Sequence, residues 1–308
     1  MRIQEIFVNR HSEVRPGWKI SIFLFLFAVL LFALTAPLQL LGITSEFIVT
    51  LNAVACVLAA TYVMTRKFHR KPLTAIGLSL HPGIVREAGI GCLLGLLMMS
   101  GIFLIEYALG YAERFWLGYS TGSVVWTIVS SLAFFVVAAV AEELLFRGYT
   151  FQVLIQGITF LPATITMAVL FGAAHMANPN ASVLGLVNTA LAAVLFSLAY
   201  QKTRSLWLPF GLHFSWNFAQ TTVFGFPTSG IAFSGFRLFR SVQRGPEWIT
   251  GGAYGPEAGI LTTIALVAAT WYILKARYLA APAGIVTLDS VEDLLPPRMS
   301  SVTESEHS

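Results

Sequence analysis

Long apolar stretches recur along this chain with almost no charge inside them, and that pattern restricts the solvent in which it can fold. A continuous run of about 20 apolar residues is long enough to cross the hydrocarbon core of a bilayer as a helix. Eight such runs are legible, at roughly 20–41, 47–64, 89–108, 124–146, 161–177, 183–200, 206–224 and 258–274. Only 11% of the 308 residues are charged, against about 25% in an ordinary soluble chain. So few charges cannot coat a water-soluble body of this size, and lipid must solvate much of it. The expected fold is all-α, a polytopic bundle of about eight transmembrane helices that makes a single domain over 1–280.

Basic residues give the orientation, because short cytoplasmic loops retain Lys and Arg. With eight spans and the N-terminus inside, all of the nineteen Lys and Arg except Arg114, Arg237, Arg240 and Arg244 fall on the inside. The expectation is a multi-pass protein of the cell (plasma) membrane with both termini cytoplasmic and with lipid as its constant partner. Basic residues dispersed over short loops offer nothing to nucleic acid. The first run is longer than a usual signal-peptide core and follows a charge-bearing region of 19 residues, so it is expected to be a retained span. Cys56 and Cys92 fall inside spans two and three and read as packed thiols. Residues 281–308 are polar, with Pro296, Pro297 and five acids, and read as a disordered cytoplasmic tail. The stretch 65–88 is expected to lie at the inner interface. A loop at 225–257, rich in Gly and aromatics and closing on Gly251-Gly252-Ala253-Tyr254-Gly255-Pro256-Glu257, is expected to fold back as a lid. Small residues at Gly91 and Gly95, and at Gly185, Thr189, Ala193 and Ser197, mark close helix approaches.

Charged and imidazole groups are costly in hydrocarbon, so those that persist there usually face a cavity and act in it. Span four contains Glu142, Glu143 and Arg147, span five Phe171 and His175, and span seven His213 and Asn217. Glu143 and Arg147 are four apart on one helical face, acid before base, which is the favourable order of an ion pair. Glu142 points about 100° away around the axis, so it has no local cation and is a candidate general base. Alone, the two acids would fit equally well as joint partners of Arg147, and an isolated His175 would read as a packed core histidine. Gly172, Ala173 and Ala174 leave room beside it for a substrate backbone or water. His213 and Asn217 share a face, so two neutral donors can converge on one point.

The ordered set Glu142-Glu143-x3-Arg147, Phe171-x3-His175 and His213-x3-Asn217 resembles the CPBP family, the CAAX protease and bacteriocin-processing membrane peptidases. The resemblance runs from about 140 to 220, and the Gly-Gly-x2-Gly-Pro-Glu stretch is similar to bacterial members. It implies that Glu142 and His175 activate the attacking water, that His213 and Asn217 hold the oxyanion, and that Glu143, Arg147 and Phe171 support them. It also implies a peptide or protein substrate, either prenylated or otherwise associated with the membrane. No His-Glu-x2-His helix occurs to support a zincin; Gly118-Tyr119-Ser120-Thr121-Gly122 matches the letters of a Gly-x-Ser-x-Gly elbow, but it lies in the short outside loop before span four, apart from the other polar residues.

Two further readings compete. An ion-coupled transporter could use the same buried acids and histidines, although no internal repeat is present; a non-proteolytic scaffold could keep the fold alone. The metal question has two answers as well. Glu142, His175 and His213 could form a two-His, one-Glu zinc site. The metal-free mechanism is favoured, because His213 is paired with Asn217 and no acid is seen behind it. Depth is a difficulty for either. Counting about 1.5 Å per residue from the inner ends puts His175 roughly 20 Å deep, His213 about 10 Å deep and Glu142 near the boundary. Continuation of span four past Arg147 toward Gln156 is expected to place Glu142 deeper.

Overall fold

The computed structural model describes residues 7–8 and 13–288. Its helices are α1 (Pro16–Leu40), α2 (Glu46–Met64), α3 (Ile84–Ala108), α4 (Thr121–Glu143), α5 (Thr150–Ile158), α6 (Phe160–Ala174), α7 (Val183–Thr203), α8 (Trp207–Phe218) and α9 (Ile260–Lys275). Five segments are long and apolar enough to cross a membrane: α1, α2 with its continuation to His69, α3, the unbroken stretch from α4 through α5, and α7. Helices α6 and α9 are apolar but shorter, so five of the eight expected runs are long enough to span by themselves. The protein is thus a polytopic helical membrane protein. One small sheet departs from the all-α pattern. Strand β1 (Ala112–Trp116) pairs antiparallel with β2 (Phe239–Gln243), Ala112 opposite Gln243 and Trp116 opposite Phe239.

In a bilayer there is little hydrophobic drive between helices, so close backbone contact has to supply the packing. Helices α3 and α8 show it most directly. A Cβ at Gly91 would sit 2.3 Å from the Leu208 carbonyl oxygen, and one at Gly95 2.5 Å from that of Leu212. From the other side, a Cβ at Gly211 would sit 2.3 Å from the Ala88 oxygen. The α7 stripe works differently, because Gly185 receives the Tyr254 ring and Ala258 rather than a helix backbone.

The depth difficulty disappears in this architecture. Helix α4 runs on through a π-helical segment, Leu144–Tyr149, with a kink at Gly148 (φ −72°, ψ −111°), into α5. From Glu142 to Ile158 is sixteen residues, and from Phe160 back to His175 fifteen, so at about 1.5 Å per residue the two arms end level. The α7–α8 turn also starts inside the body: Thr203, Ser205 and Leu206 are all 0% exposed. The Leu206 N–H donates to the Gly77 carbonyl at 2.9 Å, so the 65–88 stretch caps this turn and His213 lies deeper than a count from the surface gives.

The expected tail at 281–308 is corrected at its near end. Thr287 and Leu288 are buried. The Leu288 N–H donates to Gln152 Oε1 at 3.1 Å, Lys71 Nζ donates to the Thr287 carbonyl at 2.7 Å, and the Leu288 side chain joins the core of α1, α2 and α5. A single apolar anchor therefore holds this end of a polar stretch. Residues 289–308 lie outside the described residues.

Gly211→Ala is expected to destabilise the protein by about 1–3 kcal/mol, because the Ala88 backbone cannot yield to the added methyl. Gly89→Ala, which meets nothing within 4 Å, is expected to be neutral or mildly stabilising. Thermal unfolding in detergent compares them, and equal melting would contradict the α3–α8 contact.

Candidate active site

Glu142 and Glu143 leave the last turn of α4 about 100° apart and meet opposite surroundings. Glu143 is fully buried, and its Oε1 accepts from Arg147 Nη1 at 3.1 Å and from His213 Nδ1 at 2.9 Å. The expected i, i+4 ion pair is therefore present, and the same oxygen also ties in the histidine of α8. Arg147 has 0% exposure. Its guanidinium lies 4.6 Å from the Phe171 ring centre and 5.1 Å from that of Phe196. Aromatic faces carry partial negative charge, so this box compensates a cation that water does not reach.

Glu142 takes no part in that pair. Its side chain is 37% exposed, and Oε2 lies 3.8 Å from His213 Nε2 with no hydrogen-bond partner. It opens onto a cavity of about 620 Å³ that is also lined by Phe171, His175, His213 and Asn217. Much of the remaining wall is apolar, including Leu31, Val49, Phe134 and Phe135. Among the described residues, no Lys or Arg lines it.

The histidines are oriented by what lies behind them. His175 closes α6, and its Nδ1 is 2.8 Å from the Phe171 carbonyl. A carbonyl only accepts, so Nδ1 carries the hydrogen and the neutral ring has its lone pair at Nε2. The Phe-x3-His spacing thereby acquires two reasons: the Phe171 carbonyl fixes the His175 ring and the Phe171 ring covers Arg147. His213 stacks on Phe196 with centroids 5.0 Å apart, and its Nδ1–H points at Glu143. Its Nε2 is then a donor only when the ring is protonated. This revises the expectation of two neutral donors, leaving Asn217 as the neutral one.

The structure also revises the argument about zinc. Each histidine has the kind of hydrogen-bonded support that zinc ligands have, Phe171 for His175 and Glu143 for His213, so the expectation that no acid stands behind His213 is corrected. The donor set does not close, however. Among the described residues no three His, Cys, Asp or Glu side chains gather closely enough to hold a metal; Glu142 and His213 approach without His175 as a third ligand.

Sequence reasoning passed over two parts of the site. Phe196 is an apolar residue in an apolar helix and carries no signal. Glu257, last of the Gly-Pro-Glu stretch, reaches the cavity because the 225–257 loop does fold back: Phe236 stacks on Phe134 at 4.5 Å, and Ser131 Oγ donates to the Phe236 carbonyl at 2.8 Å. Glu257 Oε1 accepts from Trp216 Nε1 at 3.3 Å, and Oε2 accepts from the Ser229 N–H and from Ser229 Oγ at 3.0 Å. Burial pushes its carboxyl up from the usual range, while the Ser229 bonds, His175 and Trp216 pull it back.

The fold and site together define a class, a helical membrane protein with an acid–histidine cavity walled by its own transmembrane segments. Residues 124–219, from α4 through α8, match the family model described as type II CAAX prenyl endopeptidase, Rce1-like. That stretch, just under a third of the chain, holds all seven motif residues, and over it the chain is similar to this endopeptidase family. No curated protein matches the chain.

Glu143→Gln strands buried Arg147 and loosens His213, and is expected to cost about 3–5 kcal/mol as lower melting temperature and folded yield. Glu142→Gln, on the half-open cavity wall, is expected to stay within about 0.5 kcal/mol of the parent. Exchanged phenotypes would refute the division between the two glutamates.

Proposed function

We propose that the protein is an intramembrane endopeptidase that hydrolyses a peptide bond in a membrane-associated or prenylated, CAAX-type substrate. One observation carries this reading: Glu142, His175, His213 and Asn217, from three helices, line one cavity, while the Glu143–Arg147 pair is sealed behind it. Water in the cavity gives up its proton to Glu142 or to the Nε2 lone pair of His175, and the same groups return a proton to the departing amine. The tetrahedral oxyanion is met by Asn217 and by the Nε2–H of protonated His213, whose charge Glu143 and Glu142 balance. Such donors are commonly worth about 10²–10³ in rate, and no Lys or Arg among the described residues lining the cavity adds a fixed charge to them. The apolar wall accepts a lipid-modified or aliphatic part of the substrate. The scheme is written without a metal; what supports this is that Glu142 and His213 approach each other with no third ligand among the described residues.

Purified protein offered a peptide library in detergent is expected to cleave it, and Glu142→Gln to lower turnover by about 10²–10⁴-fold while remaining folded. A parent protein that cleaves nothing yet drives solute uptake into liposomes would be a carrier instead. Dialysis against a chelator is expected to leave cleavage unchanged. Stoichiometric zinc whose removal stops turnover and whose return restores it would make His213 a ligand.

We also propose that the protein sits in the plasma membrane with both termini cytoplasmic, supported by the inside excess of Lys and Arg. Reporters fused after residues 44, 118 and 240 are all expected outside; an inside signal at 240 would overturn the arrangement of the last spans.

A further inference from the structure

Glu257 has more partners than a loop residue needs. Its Oε1 accepts from Trp216, which lies between His213 and Asn217 on α8. Its Oε2 accepts from both donors of Ser229. Ser229 is held in the left-handed region at φ +48°, which a residue with a side chain adopts only under constraint. The Ser229 carbonyl accepts from Asn178 Nδ2 at 2.9 Å, and the Asn178 N–H donates to the His175 carbonyl at 3.1 Å. One carboxylate thus connects the α8 turn that bears the oxyanion donors to the turn that bears His175. The backbone around it is fitted closely: a Cβ at Gly255 would lie 2.2 Å from the Pro227 oxygen, and Glu257's own carbonyl accepts from Asn188 of α7 at 2.7 Å.

We propose that Glu257 is a positioning residue of the hydrolytic site, a clamp that keeps Asn217 and His213 in register with His175 across the cavity. Misplacing a reacting group by about 1 Å can cost on the order of 100-fold in rate, so the clamp acts on turnover and leaves the apolar wall that binds substrate in place. The kinetic part of this proposal rests on the endopeptidase reading; the mechanical part does not.

Glu257→Gln keeps the volume but turns an amide NH2 toward N–H or O–H donors, breaking one arm. Two measurements on the full-length protein decide the matter. Backbone hydrogen exchange over 175–178 and 228–231 is expected to speed up in Glu257→Gln, and kcat per folded molecule to fall by about 10–100-fold with KM within about twofold of the parent. Trp216→Phe, which removes the arm to α8, is expected to lower kcat too, and the double variant to lose less than the product of the two single losses, because both changes act through one carboxylate. Unchanged exchange overturns the clamp, and it does so even if the parent protein proves to cleave nothing and the endopeptidase reading fails. With the parent active, a Glu257→Gln defect that vanishes when normalised to folded protein, or one confined to KM, overturns it as well.

Discussion

A single oxygen, Glu143 Oε1, accepts from Arg147 on one side and from His213 on the other, and of the three only His213 reaches the cavity. Removing one member of such a set leaves an uncompensated buried charge, which is why the surroundings are so constrained. The phenylalanine rings around the guanidinium, the π-helical segment that carries Arg147, and the placement of α8 against α4 all serve to keep the ions paired. Glycines 91, 95 and 211 let α3 hold α8 at backbone distance, so the helix bearing His213 cannot drift away from Glu143. The site is therefore built on packing that itself contains no reactive group.

This arrangement separates two jobs that adjacent residues in the sequence would otherwise share. An arginine close to the cavity would hold Glu142 in a salt bridge and take away its freedom to move a proton. One helical step of about 100° commits Glu143 to the cation and turns Glu142 to the open side. The cavity then keeps its carboxylates and imidazoles and is spared a fixed positive charge.

Much of this was legible from residue spacing. The apolar runs located the long helices, the i, i+4 order of Glu143 and Arg147 gave their pairing, and Gly91 and Gly95 marked a real backbone contact. What spacing could not supply was depth and the identity of partners distant in sequence. The levels of Glu142, His175 and His213 depend on a helix that continues through a kink at Gly148 and on a buried α7–α8 turn, and neither changes the hydropathy of the segments involved. Phe196 has no local signature, since its role as a platform for His213 exists only once α7 meets α8. The 281–288 stretch misled for the opposite reason: one leucine, Leu288, outweighs a polar composition when a pocket in the core receives it.

The two histidines show how much of the chemistry rests on second partners. Both have Nδ1 tied to a fixed acceptor, so both offer Nε2 to whatever occupies the cavity. Behind His175 stands a neutral carbonyl. Behind His213 stands a carboxylate, with a second 3.8 Å from its other nitrogen, so a positive ring there is balanced from both sides. Identical side chains are thereby suited to opposite tasks, a lone pair that accepts a proton at His175 and a charged donor at His213. In the proposed hydrolysis the water attacks the scissile carbonyl from one side and the developing negative charge is met from the other. That division needs the two helices that carry the rings to hold their register, and the loop between α8 and α9 is the part of the chain that reaches both.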